Sequence, residues 1–83
     1  MGIYSEHLPT AIVEELRALM GRRKALVKDV AREAGISVNT MSRYLNEKSP
    51  IPLDSFAAIC EALGDDPASV IARAAESVKQ QNR

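Results

Sequence analysis

Apolar residues recur three or four positions apart in several separate stretches of the chain, and no stretch shows the alternating pattern of a β-strand. This spacing predicts helices over about residues 9–21, 27–34, 38–46, 53–63 and 67–78. Pro9, Pro52 and Pro67 suit the first turns of helices, and Gly35 and Gly64 suit helix ends. We therefore expect an all-α domain of five short helices.

The length of the chain, 83 residues, suffices for one small domain. Residues 1–8 have no clear period and are expected to form an N-terminal arm, followed by the helical domain at 9–78 and a frayed polar tail at 79–83. No apolar run approaches the ~20 residues of a membrane span, and the first residues do not resemble a secretory signal. The single cysteine, Cys60, cannot form an intramolecular disulfide, and together these features favour a reducing cytosol.

Residues 27–46 contain two short predicted helices joined at Gly35. This segment has a small residue, Ala31, where two helices can cross, and Gly35 tolerates the positive φ of a tight turn. Ser37 is a good cap for the second helix. Four residues supply apolar inner faces: Val30, Ile36, Met41 and Tyr44. Together these features predict a helix-turn-helix.

The second helix of this pair leaves small polar, apolar or singly charged side chains on its outward face. They are Ser37, Val38, Asn39, Ser42, Arg43 and Asn46. Taken singly, Asn39 or Ser42 is better explained as ordinary solvated surface, and Arg43 equally well. As a set on one helix, they favour contact with the edges of DNA bases.

The formal net charge is zero, but the charges are unevenly distributed. Residues 17–48 contain eight basic and three acidic side chains, whereas acidic side chains prevail before and after that segment. Phosphate groups respond to the local field rather than to the average charge of the chain. Within this basic segment, Arg22–Lys24 is either a solvated connector or a phosphate clamp.

The motif VAREAGIS from Val30 to Ser37, followed by NTMSRYLN from Asn39 to Asn46, resembles the lambda-repressor/Cro-like helix-turn-helix family, also called the XRE family. The resemblance covers about residues 10–73. It implies a compact five-helix domain whose third helix lies in the DNA major groove. It also implies a transcriptional repressor of a phage, a prophage or a bacterial operon, bound as a dimer to a pseudo-palindromic operator.

The resemblance assigns base contacts to Ser37, Val38, Asn39, Ser42 and Arg43. It places Thr40, Asn46 and Lys48 near the DNA backbone, as phosphate contacts. The sequence departs from the family where the second helix begins, because Leu26 replaces the usual Ser or Thr cap and Val27 replaces the usual Gln. Other basic residues can replace the phosphate contact that this departure puts in doubt, namely Arg22, Arg23, Lys24 and Lys28.

The last predicted helix has an apolar stripe formed by Val70, Ile71, Ala74, Ala75 and Val78. This stripe either closes the core or forms an interface, with a second copy or with a partner protein such as the toxin of a toxin–antitoxin pair. No nucleophile, acid–base pair or set of metal ligands stands out, so we expect no enzyme activity, no cofactor and no metal. Asp65 and Asp66 are interpreted as caps at a helix junction, and Tyr44 as a core residue. The buried face predicted for the fourth helix consists of Leu53, Phe56, Ala57, Ile59, Cys60 and Leu63.

Overall fold

Five α-helices and no strand make up the regular structure of residues 2–82, the part of the chain that the computed structural model describes. The helices are α1 (Ile3–Arg23), α2 (Val27–Ala34), α3 (Val38–Leu45), α4 (Leu53–Ala62) and α5 (Pro67–Gln81). The predicted all-α, five-helix fold is confirmed. None of these helices is both long enough and apolar enough to cross a bilayer.

The first and last helices are longer than predicted. The prediction of an arm at 1–8 is wrong from Ile3 onward, because α1 begins there and includes Pro9. A proline at this interior position removes one backbone hydrogen bond, and its ring crowds the preceding turn. The tail expected at 79–83 is likewise helical up to Gln81, and Met1 and Arg83 lie outside the described residues. Within the extension of α1, Leu8 packs against the seam that Ala11 forms with Ala74 and Val78 of α5.

The core joins buried side chains from all five helices. Leu16 of α1, Met41 of α3, Ile59 of α4 and Val70 of α5 are completely buried in a single cluster, to which α2 contributes Ala31. A second cluster lies along the seam between α1 and α5 and consists of Ala11, Ala74 and Val78. Short helices such as α2 and α3 are not stable alone, so this packing determines their positions.

Leu53, expected on the buried face of α4, is instead 78% exposed. It is the first residue of the helix, and side chains on a helix point back toward its N-terminus. Leu53 is therefore directed past the end of the bundle. Ile51, in the connector before α4, packs against the core in its place, while Phe56 and Cys60 are buried as predicted.

Arg73 of α5 connects three parts of the bundle. Its guanidinium donates to the carboxylate of Glu15 on α1 at 3.2 Å and to that of Asp65 in the α4–α5 turn at 2.7 Å. The bond from Arg73 lowers the pKa of Asp65 below its ordinary value. Asp66 caps α5 by accepting from the backbone N–H of Ser69, so the predicted capping role of Asp66 is confirmed.

Candidate nucleic-acid interface

Gly35 ends α2 and turns the chain toward α3. Its φ of 75° lies in the left-handed region, which glycine adopts without a steric penalty. The backbone N–H of Gly35 donates to the carbonyl oxygen of Arg32, and that of Ile36 donates to the carbonyl oxygen of Ala31. Ala31 is completely buried. The predicted turn at Gly35 and the small buried residue at position 31 are both confirmed.

Ser37 caps the start of α3, as predicted. Its Oγ accepts from the backbone N–H of Thr40 at 3.0 Å and donates to Thr40 Oγ1 at 2.8 Å. The single hydroxyl proton of Ser37 is therefore engaged within the protein. At the other helix of the pair, Leu26 gives α2 no side-chain cap.

The outward face of α3 is defined by which of its side chains remain accessible. Met41, Tyr44 and Leu45 are buried against the bundle, as predicted. Val38 is 49% exposed. Asn39 and Arg43 are exposed and Ser42 is half-buried. The structure thus gathers the predicted base-contacting residues along one side of a capped helix.

The guanidinium of Arg43 is held close to the protein rather than extended into solvent. Its Nε donates to Ser49 Oγ at 3.0 Å, and its Nη2 approaches the carbonyl oxygen of Lys48 at 3.4 Å. Both acceptors lie in the connector that follows α3. Sequence patterns do not reveal this arrangement, because the connector returns beside α3 only in three dimensions.

Asn46, predicted to contact phosphate, forms the end of α3 and is largely engaged within the protein. Its Nδ2 donates to the carbonyl oxygen of Ser42 at 2.9 Å, and its Oδ1 accepts from Arg17 Nη2 at 3.1 Å. One N–H of the Asn46 amide remains for an external acceptor. Arg17 also donates to the carbonyl oxygen of Leu45. Helical spacing places Arg17 on the outward face of the first helix and does not predict these contacts with the end of α3.

The predicted phosphate-contacting cations fall into two groups by location. Lys24, Lys28 and Lys48 are exposed around the two ends of the helix-turn-helix. Arg22 and Arg23 belong to the last turn of α1 rather than to a connector, where positive charge also complements the helix dipole.

The side chain of Arg23 is directed away from α3. Its Nη1 lies 3.7 Å from the position that a Cβ on Gly64 would occupy, and its charge helps to lower the pKa of Asp65. The Arg23 guanidinium is therefore directed toward the α4–α5 turn. This location makes Arg23 the least suitable of the predicted phosphate contacts.

Comparison with known proteins places this geometry in a family. The model of the Cro/C1-type helix-turn-helix DNA-binding domain matches residues 15–75. The chain belongs to this family. The resemblance carried by the motif at residues 30–46 is thereby confirmed, and the chain contains a DNA-binding domain of the Cro/C1 type.

Two crystal structures of the clp gene regulator ClgR from Corynebacterium glutamicum share the fold. One matches with a TM-score of 0.80 over 89% of this chain and 79% of its own. The other matches with a TM-score of 0.76 over 84% of this chain and 91% of its own. Both are 24% identical to this chain, so the likeness concerns the fold. No curated protein matches the sequence.

The apolar stripe on α5 of this Cro/C1-type domain mostly closes its own core. Val70, Ala74 and Val78 are at most 1% exposed within the single chain, so they are not free to form an interface. Assigning these three residues to a dimer interface is therefore wrong. Ile71 and Ala75 are half-buried and are the only members of the predicted stripe with accessible surface left.

Titratable side chains outside the helix-turn-helix do not assemble into a metal site in the described residues. Within residues 2–82, no three His, Cys, Asp or Glu side chains lie close enough together to hold a metal ion. Cys60 is completely buried, and its burial raises the pKa of the thiol to about 11. A buried, neutral thiol is a poor nucleophile, which agrees with its expected role as a core residue.

Proposed function

We propose that this protein recognises a specific double-stranded DNA sequence and that α3 reads it in the major groove. The observation that carries the proposal is the outward face of α3, where Val38, Asn39 and Arg43 are accessible together on a helix with a capped start. An exposed valine is unfavourable in water, but it can contact the methyl group of thymine. Asn39 suits the edge of adenine, and Arg43 suits that of guanine.

We assign different weights to the remaining candidate contacts. Ser42 is half-buried, and the hydroxyl of Ser37 is already bonded to Thr40. We therefore give these two base contacts less weight than those of Val38, Asn39 and Arg43. Lys24, Lys28 and Lys48, with Thr40, are proposed to contact phosphates on either side of the groove. Such contacts position the helix but do not distinguish sequences.

We further propose that the protein acts as a repressor of a phage, a prophage or a bacterial operon, in the cytoplasm. A small domain that occupies an operator can block transcription without a further catalytic step. The helix-turn-helix at residues 27–46 is the reading unit, and the rest of the domain holds it in place. A second copy is proposed to bind the other half of a pseudo-palindromic operator.

The test begins with selection of duplexes from a randomised DNA library by the wild-type protein. Binding of the selected duplex is then compared with that of random DNA at physiological salt, for wild type, Asn39→Ala, Arg43→Ala and the control Lys79→Ala on exposed α5 surface. Each base contact should cost about 1–3 kcal/mol when it is removed. Equal affinity for selected and random duplexes in the wild type would refute sequence-specific recognition.

A further inference from the structure

The hydrogen bond between Arg43 and Ser49 has a geometry that orients the arginine side chain proposed to contact guanine. Arg43 is exposed and Ser49 is half-buried, and the Nε–Oγ distance is 3.0 Å. A free arginine side chain samples many rotamers and loses that freedom on binding. A side chain already held in one orientation loses less, so its contacts contribute more to affinity.

The contacts within the protein use one edge of the Arg43 guanidinium, and the other edge remains free for a base. A guanidinium presents five N–H donors in a planar fork. The contacts to Ser49 and Lys48 use the side formed by Nε and Nη2. The end formed by Nη1 and the second hydrogen of Nη2 remains available, and these two parallel donors fit O6 and N7 of guanine.

Ser49 is itself held in place by the connector between α3 and α4. The backbone N–H of Lys48 donates to the carbonyl oxygen of Arg43 at 2.8 Å, which returns the chain alongside the end of α3. Pro50 follows Ser49 directly and limits it to extended backbone conformations. The backbone of Ser49 is thus held beside the end of α3, where its hydroxyl accepts from Arg43.

We propose that Ser49 is a specificity-positioning residue, which holds Arg43 so that the free end of its guanidinium faces guanine. The proposal rests on the proposed function, in which Arg43 contacts a base. Ser49 acts through Arg43 and needs no DNA contact of its own. Its loss should therefore weaken the preference for guanine at one position of the site and leave the binding of random DNA unchanged.

The experiment compares wild type with Ser49→Ala, Ser49→Thr and Arg43→Ala. The probes are the duplex selected by the wild type, the same duplex with its Arg43-dependent guanine pair replaced, and random duplex. Ser49→Ala should lower the preference for guanine about 3- to 10-fold, and Ser49→Thr, which retains the hydroxyl, should restore it. In the protein without DNA, the Nε–H resonance of Arg43 should shift and exchange faster in Ser49→Ala only.

The outcomes separate this proposal from the proposed function. If Arg43→Ala loses the preference while Ser49→Ala keeps it, Ser49 has no positioning role. If Ser49→Ala weakens binding to all three probes equally, Ser49 contacts phosphate instead and the proposal is also overturned. If Arg43→Ala does not change the preference for guanine, Arg43 does not contact a base, and the proposed function is contradicted at this residue. Thermal unfolding of each variant shows whether the fold is retained.

Discussion

Arg17 on α1 caps the C-terminal end of the reading helix through the carbonyl oxygen of Leu45. Its Nε and Nη2 donate to this oxygen at 3.1 and 2.6 Å. The last carbonyl groups of a helix have no partner within the helix, and a positive charge there also complements the helix dipole. One side chain from the first helix thus fixes where α3 ends relative to the bundle.

Replacing Arg17 by alanine should destabilise the domain by about 1–2 kcal/mol, because a hydrogen bond from a charged donor is lost. The melting temperature should fall by roughly 4–8 °C for each kcal/mol in a domain of this size. Urea unfolding followed by circular dichroism measures the change. Arg22→Ala, an exposed arginine further along the same helix, is the control, and equal stability of the two variants would contradict the capping role.

The turn between α2 and α3 could be predicted because its physical causes are local. Gly35 provides a positive φ, and Ser37 caps the helix that follows two positions later, so a few neighbouring residues determine the geometry. Residues 30–46 also contain all of the proposed base contacts. This explains why the reading helix and its accessible face could be anticipated from the sequence.

The remaining features depend on partners that are distant in the chain. Arg17 meets Leu45 across 28 positions, and Ala11 and Leu8 of α1 pack against Ala74 and Val78 of α5. The helical periodicity of the sequence carries no information on such long-range contacts. Leu53 was assigned to the wrong face because helical spacing alone does not reveal that a first-turn side chain points past the end of the bundle.

Lys28, exposed in the first turn of α2, is predicted to contact phosphate. Lys28→Ala should weaken binding to selected and random duplexes by the same factor, because phosphates carry no sequence information. The slope of the logarithm of the association constant against the logarithm of the salt concentration is negative, and its magnitude should fall by about 0.9 for the lost contact. Affinities measured across a salt series test this, with Lys79→Ala as a control of equal charge. A loss confined to the selected duplex would identify Lys28 as a base contact instead.

Val70→Ala tests whether the stripe on α5 belongs to the core of one chain. The side chain is completely buried, so its truncation should cost about 2 kcal/mol. The unfolding midpoint should not depend on protein concentration, whereas it would if the stripe formed an obligate dimer. Ala72→Ser, on the exposed side of α5, should change stability by less than about 0.5 kcal/mol. A midpoint that rises with concentration would contradict the assignment.

Lys24 adopts a left-handed conformation with a φ of 52° at the end of α1. This conformation costs a residue with a Cβ roughly 1–2 kcal/mol relative to glycine. Lys24→Gly should therefore stabilise the domain by about 1 kcal/mol, while Lys24→Ala removes the same charge but retains the strain. Urea unfolding of both variants checks this, and a glycine variant no more stable than the alanine variant would show that the strain is absent.

Cys60 should make the stability of the domain sensitive to alkaline pH. Burial raises the pKa of its thiol from 9.0 to about 11, with a further increase from Asp65 and an opposing effect of Arg73. The folded state therefore favours the neutral thiol. The associated stabilisation is complete below about pH 9 and is lost as the pH rises from 9 to about 11.

The loss of stability that Cys60 causes at alkaline pH can be measured by comparing wild type with Cys60→Ala. The free energy of unfolding of both proteins is measured in urea from about pH 8 to pH 11, so that other groups titrating there contribute equally to each. The advantage of the wild type over the variant should shrink across this range. Thiol reagents at pH 8 should label Cys60 only after unfolding. A constant difference, or rapid labelling of the folded protein, would mean that the thiol is accessible and not held neutral by burial.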